Sequence, residues 1–224
     1  MASVSSLLSQ LSMDLSDPGF VRWTRDQLRA YLLEGLIVAF GKRPDLFMER
    51  VIIKLDSCST LQDTCECDRV FRVLGQSTED GRIIRTLRRK SSSSKIVWNG
   101  KPCRTEPGDF KLNSYSLTPI TNVLEVYPEV PPGVDVWVVI ECAKSPEKLS
   151  DDDDFSNTLS VAAKQWALSR AHRIDGEVNQ LAFTLGRDHE AAFWRLLAYN
   201  MRAVDASSED MTTTSTTAAT ATGR

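Results

Sequence analysis

No stretch of the chain stays apolar for the ~20 residues a helix needs to cross a bilayer, so no membrane contact is expected. Histidine is scarce, with only His172 and His189. No G-x-S-x-G elbow, H-E-x-x-H helix, phosphate-binding loop or dinucleotide-binding glycine pattern occurs, so no known catalytic motif supports an enzyme. The five cysteines (58, 65, 67, 103 and 142) are odd in number and irregularly spaced, which does not suit a disulfide framework. Reduced thiols in a cytosolic setting are expected instead. Cys58, Cys65 and Cys67 are separated by six residues and then by one, unlike the paired short knuckles of structural zinc sites. No metal or cofactor is expected. The first residues lack a basic segment and an apolar core, so a secretory signal is not expected. A formal net charge of −3 argues against general nucleic-acid binding.

The composition is that of an ordinary globular chain, and 224 residues can bury a core as one domain or two small lobes. Thr24 followed three residues later by Gln27 is a capping box. Leu28, Tyr31, Leu32, Gly35, Leu36, Ala39 and Phe40 then recur at helical spacing, predicting a helix over 24–41 that stops before Arg43-Pro44. The period next changes. Arg50–Leu55, Arg69–Leu74, Arg82–Leu87, Val123–Tyr127 and Val134–Cys142 are short β-branched runs bounded by turn residues. SSSSK at 91–95 and the stretch 98–109 read as loops, the latter with a tight turn at Asn99-Gly100. Beyond Asp151–Asp154 the helical period returns. Leu159, Ala162, Ala163, Trp166 and Ala167 mark one helix to Ile174. Val178, Leu181, Ala182 and Leu185 mark a second ending at Gly186. Ala192, Phe193, Leu196, Leu197 and Tyr199 mark a third that reaches Val204.

These periods predict an α+β fold: a helical bundle built from N- and C-terminal helices (24–41 and 156–204), with a small antiparallel β sandwich or barrel-like lobe inserted at about 50–143. Residues 1–22, with a weak leucine spacing at Leu7, Leu8, Leu11 and Leu15, are expected as a flexible arm with room for one short helix, 23–205 as the ordered domain and 206–224 as a disordered Ser/Thr-rich tail.

The acidic run Asp151–Asp154 lacks the alternating ligands and interior glycine of a calcium loop and reads as a solvated helix start, where negative charge meets the positive end of the dipole. His172 lies near a helix C-terminus, where a partly positive ring is favourable for structural reasons. Arg82, Arg85, Arg88, Arg89, Lys90 and Lys95 form one basic cluster. An edge strand charged against aggregation is the first reading, an acidic protein partner another, and DNA the last, because interleaved aromatic residues are missing. Trp137, Trp166 and Trp194 are expected in the core and Trp98 in a loop.

The order of segments resembles the head-to-tail adaptor proteins of short-tailed bacteriophages. WTRDQLRAYLLEGLIVAFGKRPDLF looks like their opening helix and Arg-Pro-Asp turn (Arg43, Pro44, Asp45). VIIKLDSCSTLQ is similar to the strand and loop that follow. DRVFRVLGQSTEDGRIIRTLRRK resembles the hairpin and basic strand that precede a later tryptophan, here Trp98. LEVYPEVPPGVDVWVVIECAKSP looks like the family's paired strands, and WALSRAHRIDGEVNQLA its C-terminal helix pair, with Arg170, Ala171 and Asp175. The likeness spans roughly residues 23 to 200. It departs in the loop after Ser59, where Leu61 leads to Gln62 with no proline.

The resemblance implies a structural virion protein and no catalysis. Such a protein docks as a ring, commonly of twelve copies, under the portal, extends the DNA channel and carries the tail nozzle or fibres. It is assembled in the host cytoplasm, and DNA passes it without sequence-specific binding. Ser207, Ser208, Thr212, Thr213, Thr214, Thr216, Thr217 and Arg224 are the expected portal-binding residues, and Arg82, Arg85, Arg88 and Arg89 a partner-facing basic strand. The alternatives are another neck protein (a head-completion or tail-terminator subunit) or a cytosolic enzyme in which Cys142 meets His172 or His189.

Overall fold

Ser3 accepts a hydrogen bond from the Ser6 amide at 3.2 Å, which turns strand β1 (Ala2–Ser3) into helix α1 (Val4–Asp14). The computed structural model describes residues 2–64, 67–90, 110–118, 123–175 and 179–213, with side chains through residue 198. It divides into a mainly helical unit, Met1–Arg43 with Pro146–Arg224, and a β unit, Pro44–Ser145.

The short helix allowed for in the arm over residues 1–22 is α1, and it is packed against the unit where a loose arm was expected. Val4, Leu8 and Leu11 are fully buried and Leu7 nearly so, while Ser6 and Ser9 face out. Serines on one side and leucines on the other make the helix amphipathic. Past α1, the buried Asp17 accepts the amides of Val21 (2.9 Å), Arg22 (2.9 Å) and Trp23 (2.8 Å) and folds the connection onto the unit.

Helix α2 (Arg25–Lys42) starts where Thr24 caps the Gln27 amide at 3.2 Å, and it buries Leu28, Leu32, Gly35, Leu36 and Ala39. Helix α3 (Asn157–Asp175) follows Ser156, whose hydroxyl accepts from the Leu159 amide, and buries Leu159, Ala162, Ala163 and Ala167. The chain then forms a single helix α4 (Gln180–Thr213), where two were expected. Gly186 does not break it. A Cβ there would lie 3.2 Å from Arg173 Cγ and 3.3 Å from the Ser169 carbonyl oxygen, so this glycine marks a close crossing with α3. Val178 of the expected second helix lies outside the described residues. Leu181 and Leu185 are exposed and only Ala182 is buried.

Gly35 plays the same part between α2 and α3, since a Cβ on it would stand 2.8 Å from Trp166 Cβ. Trp166 is half-buried and packs against the fully buried Phe193, with ring centroids 4.9 Å apart and planes tilted by 57°. Trp194, expected in the core, lies on the outer side of α4 and is exposed. Trp137 in the β unit is half-buried, with Lys54 over its ring at 5.8 Å. Trp98 and Asn99-Gly100 lie outside the described residues, as does the SSSSK loop.

The β unit contains two four-stranded sheets. The first has the order β2-β9-β4-β5 and is antiparallel throughout, from β2 (Met48–Lys54), β4 (Arg69–Ser77), β5 (Ile83–Thr86) and β9 (Trp137–Ala143). The second has the order β3-β8-β7-β6, from β3 (Leu61–Gln62), β6 (Arg88–Arg89), β7 (Ser114–Thr118) and β8 (Val123–Tyr127), with β6 and β7 parallel. All five expected strands are present, Val123–Tyr127 with the expected bounds and the other four with at least one end shifted. The whole of β7 was missed because its Ser-Tyr-Ser-Leu-Thr reads as polar, yet Ser114, Tyr115, Ser116 and Leu117 are all buried. Both sheets feed one buried cluster, with Val73, Val138 and Ile140 from the first and Tyr115, Leu124 and Val126 from the second. Gln76 ties in the approach to β7: its Nε2 donates to the Phe110 carbonyl (3.2 Å) and its Oε1 accepts the Leu112 amide (3.0 Å). Among the described residues the fold is thus mixed α+β, with four α-helices and largely antiparallel sheets.

The crossing of α2 and α3 yields a paired prediction. Gly35→Ala should destabilise the helical unit by about 1–3 kcal/mol, because overpacking against Trp166 outweighs the better helix propensity. Gly41→Ala meets nothing within 4 Å and should gain about 0.5–1 kcal/mol. Thermal melting of both variants checks this; a rise in Tm for Gly35→Ala would show that α2 and α3 do not approach so closely.

Candidate partner-docking surfaces

The acidic run after the β unit holds the helical unit together and is not a solvated helix start. Asp151 accepts from Arg29 Nη2 at 2.7 Å and from Arg25 Nη2 at 3.0 Å, both on α2. Its carbonyl takes the Ser5 amide at 3.1 Å, and the Asp153 carbonyl takes the Val4 amide at 3.0 Å. Strand β10 (Asp154–Phe155) pairs with β1 just beyond. Hydrogen bonding from Arg29 holds the Asp151 carboxyl below its ordinary range. Backbone hydrogen bonding, led by the Trp23 amide, does the same for Asp17.

The two histidines lie ring on ring, His172 of α3 over His189 of α4, with centroids 5.4 Å apart and planes 4° from parallel. His189 Nδ1 is 2.7 Å from Gln165 Oε1, so the neutral ring donates there. Burial pushes both pKa values down. Asp175 opposes the shift at His172, and Asp14 and Asp188 oppose it at His189.

Cys142 is joined to Cys67 in a disulfide between Cα atoms 5.9 Å apart. The expected reduced thiols at these two positions are therefore corrected, and Cys142 has no thiol with which to form a nucleophile–histidine pair. The bridge closes a 75-residue span and could not be read from spacing, because its partners meet only through sheet pairing. Cys58 is free and exposed, whereas Cys65 and Cys103 lie outside the described residues. Among the described residues no group of three or more His, Cys, Asp or Glu side chains is placed to hold a metal ion.

Glu141 sits buried at the centre of the first sheet. It is paired across register with Arg50 on β2 and Arg72 on β4, and hydrogen bonding from Arg72 lowers its pKa. The basic strand contrasts with it. All four residues of β5 are exposed, as are Arg82, Arg88 and Arg89. Arg85 Nη2 donates to Asn113 Oδ1 at 3.3 Å. Of the C-terminal candidates, Ser207, Ser208, Thr212 and Thr213 lie on α4, so the tail expected from 206 begins as helix. Thr214, Thr216, Thr217 and Arg224 lie outside the described residues.

No helix is long and apolar enough among the described residues to cross a membrane. What the structure offers is exposed strand edges and helix faces, the working parts of a protein that acts by contact. A profile of the SU10 adaptor protein family matches residues 2–220, and the chain belongs to that family of bacteriophage structural adaptors. The family's role implies a place in the virion neck and contact with portal and tail components. No curated protein matches the chain.

Two predictions follow from the buried charges. Glu141→Gln should destabilise the β unit by about 1–3 kcal/mol, since it weakens two charge-assisted contacts in a buried place; denaturant unfolding measures it. Acidification should act in two windows. The lowered histidine pKa values stabilise the fold above about pH 6.5, and this contribution fades as pH falls below it. The lowered Asp17, Asp151 and Glu141 values stabilise it above about pH 4, and that contribution is lost on further acidification. Tm measured against pH should therefore fall in both windows; His189→Gln should shrink the upper step and the double variant His172→Gln, His189→Gln should remove it, whereas an unchanged upper step in the double variant would exclude the histidine pair as its source.

Proposed function

We propose that this chain is the head-to-tail adaptor that docks as a ring, commonly of twelve copies, beneath the portal, extends the DNA channel and presents the platform on which the tail is built. The observation that carries the reading is the family match across nearly the whole chain. The architecture supports it. Antiparallel β strands inserted between the helices of a bundle give each copy two kinds of surface, and a heterologous contact between unlike faces closes a ring when the rotation per copy allows. Ser207, Ser208, Thr212, Thr213, Thr214, Thr216, Thr217 and Arg224 form the portal clasp in this reading. Helix α4, about 50 Å long at 1.5 Å per residue, carries that segment away from its crossing with α3. The net charge of −3 suits a channel wall that does not retain phosphate. The ring assembles in the host cytoplasm and is carried in the virion neck.

Mixing the full chain with the portal ring and sedimenting the mixture tests this. Co-migration at about one copy per portal subunit, as ring closure requires, is the expected result, and a chain lacking residues 207–224 should be lost from the complex. Binding to assembled tails and not to portal would make the chain a tail-side neck protein, such as a tail terminator. Unchanged portal binding by the shortened chain would remove the clasp and leave the adaptor role standing.

A further inference from the structure

We infer that the outer edge of β5 receives an acidic, extended segment of a partner protein as an added strand. β5 is the last strand of the β2-β9-β4-β5 sheet, and among the described residues nothing pairs with its outer side. An edge of this kind presents unused amide and carbonyl groups in strand spacing. Gly75 seats it closely on β4, since a Cβ there would stand 2.3 Å from the Arg85 carbonyl oxygen. The register Gly75↔Thr86, Gln76↔Arg85, Ser77↔Ile83 passes over Ile84, which lies at the bulge and is 58% exposed. Ile83 is 44% exposed. A short strand guarded by charge is a common protection against aggregation, but it does not call for two adjacent exposed isoleucines. These offer apolar surface to the side chains of a docked strand, which lend it specificity.

Charge selects the occupant. Arg82, Arg85, Arg88 and Arg89 bracket the isoleucines, and among the described residues none of the four pairs with a carboxylate. Arg50 and Arg72 of the same sheet share Glu141. Arg82 and Arg85 along the β5 edge, with Arg88 and Arg89 following in sequence on β6 of the second sheet, fit carboxylates alternating with apolar residues. A nucleic acid would satisfy the arginines but would leave Ile83, Ile84 and the open backbone groups unused. Added beside β5, the segment continues the antiparallel order of the sheet. The inference stands on the β unit alone and does not depend on which neck component supplies the segment.

The test uses the full chain and three labelled probes: a short peptide of alternating glutamate and valine, its lysine counterpart, and single-stranded DNA. The glutamate peptide should bind with an affinity that falls as salt rises, and it should slow amide exchange at Ile83–Thr86. The double variant Arg85→Glu, Arg88→Glu should weaken it about tenfold or more, in line with the loss of close charge pairs, and a glutamate peptide with interspersed prolines should fail to protect the β5 amides. Each of three results would overturn the inference: no binding of the glutamate peptide, equal binding of the lysine peptide, or DNA bound more tightly than the glutamate peptide. Binding without amide protection would do so as well, since it would reduce the contact to side-chain attraction.

Discussion

Asp151 lies 126 residues along the chain from Arg25, yet its carboxylate joins both Arg25 and Arg29 of α2. Everything between them is spent largely on the β unit, so the helical unit exists only if the chain returns to where it left. Three contacts make that return. The carboxylate binds α2, the neighbouring carbonyls receive the first amides of α1, and β10 pairs with β1. An exposed ion pair alone is worth little. Here one acidic segment satisfies two arginines and two backbone amides at once, which fixes a geometry as well as an energy. The glycine crossings at Gly35 and Gly186 then set how closely α2, α3 and α4 lie.

Much of this was legible in the sequence, and the reasons for the failures are physical. The Thr24 cap and the apolar period of α2 reappear almost unchanged, because capping and periodicity are local signals. Strands β2, β4, β5, β8 and β9 announced themselves through β-branched residues, whereas the two-residue β3 and β6 carry none and the buried serines of β7 resemble a loop. The leucine spacing of α1 was visible, but the serines on its outer side gave no sign that the helix is packed. Gly186 was read as punctuation although its role is to admit Arg173 and the Ser169 carbonyl, and only tertiary packing distinguishes these uses. The Cys67–Cys142 bridge and the Asp151 clamp both join residues far apart in sequence, and spacing carries no record of such pairs. As for the docking surfaces, the basic run from Arg82 to Arg89 was visible as composition. Its place at a sheet edge, with Ile83 and Ile84 exposed, was not.

The division of labour between the two units is the natural reading of these contacts. The helical unit is dense in internal ion pairs, with Arg170 on Glu34, Arg173 on Glu190 and Lys164 on Asp14 linking its helices. In the β unit Glu141 and the apolar cluster hold the interior, while the β5 edge keeps its charge unpaired. Units that pair their interior charges and leave selected edges unpaired suit an adaptor between two other assemblies. The chain's membership of the SU10 adaptor protein family accords with this economy of surfaces.

Imaging the neck of the intact virion by electron cryomicroscopy would test the central claim most directly. The adaptor reading expects density fitting both units of this chain in a closed ring directly beneath the portal, with the C-terminal part of α4 reaching the portal and the central channel continuous through the ring. Density for the chain only at the far side of the neck, against the tail and out of contact with the portal, would contradict it.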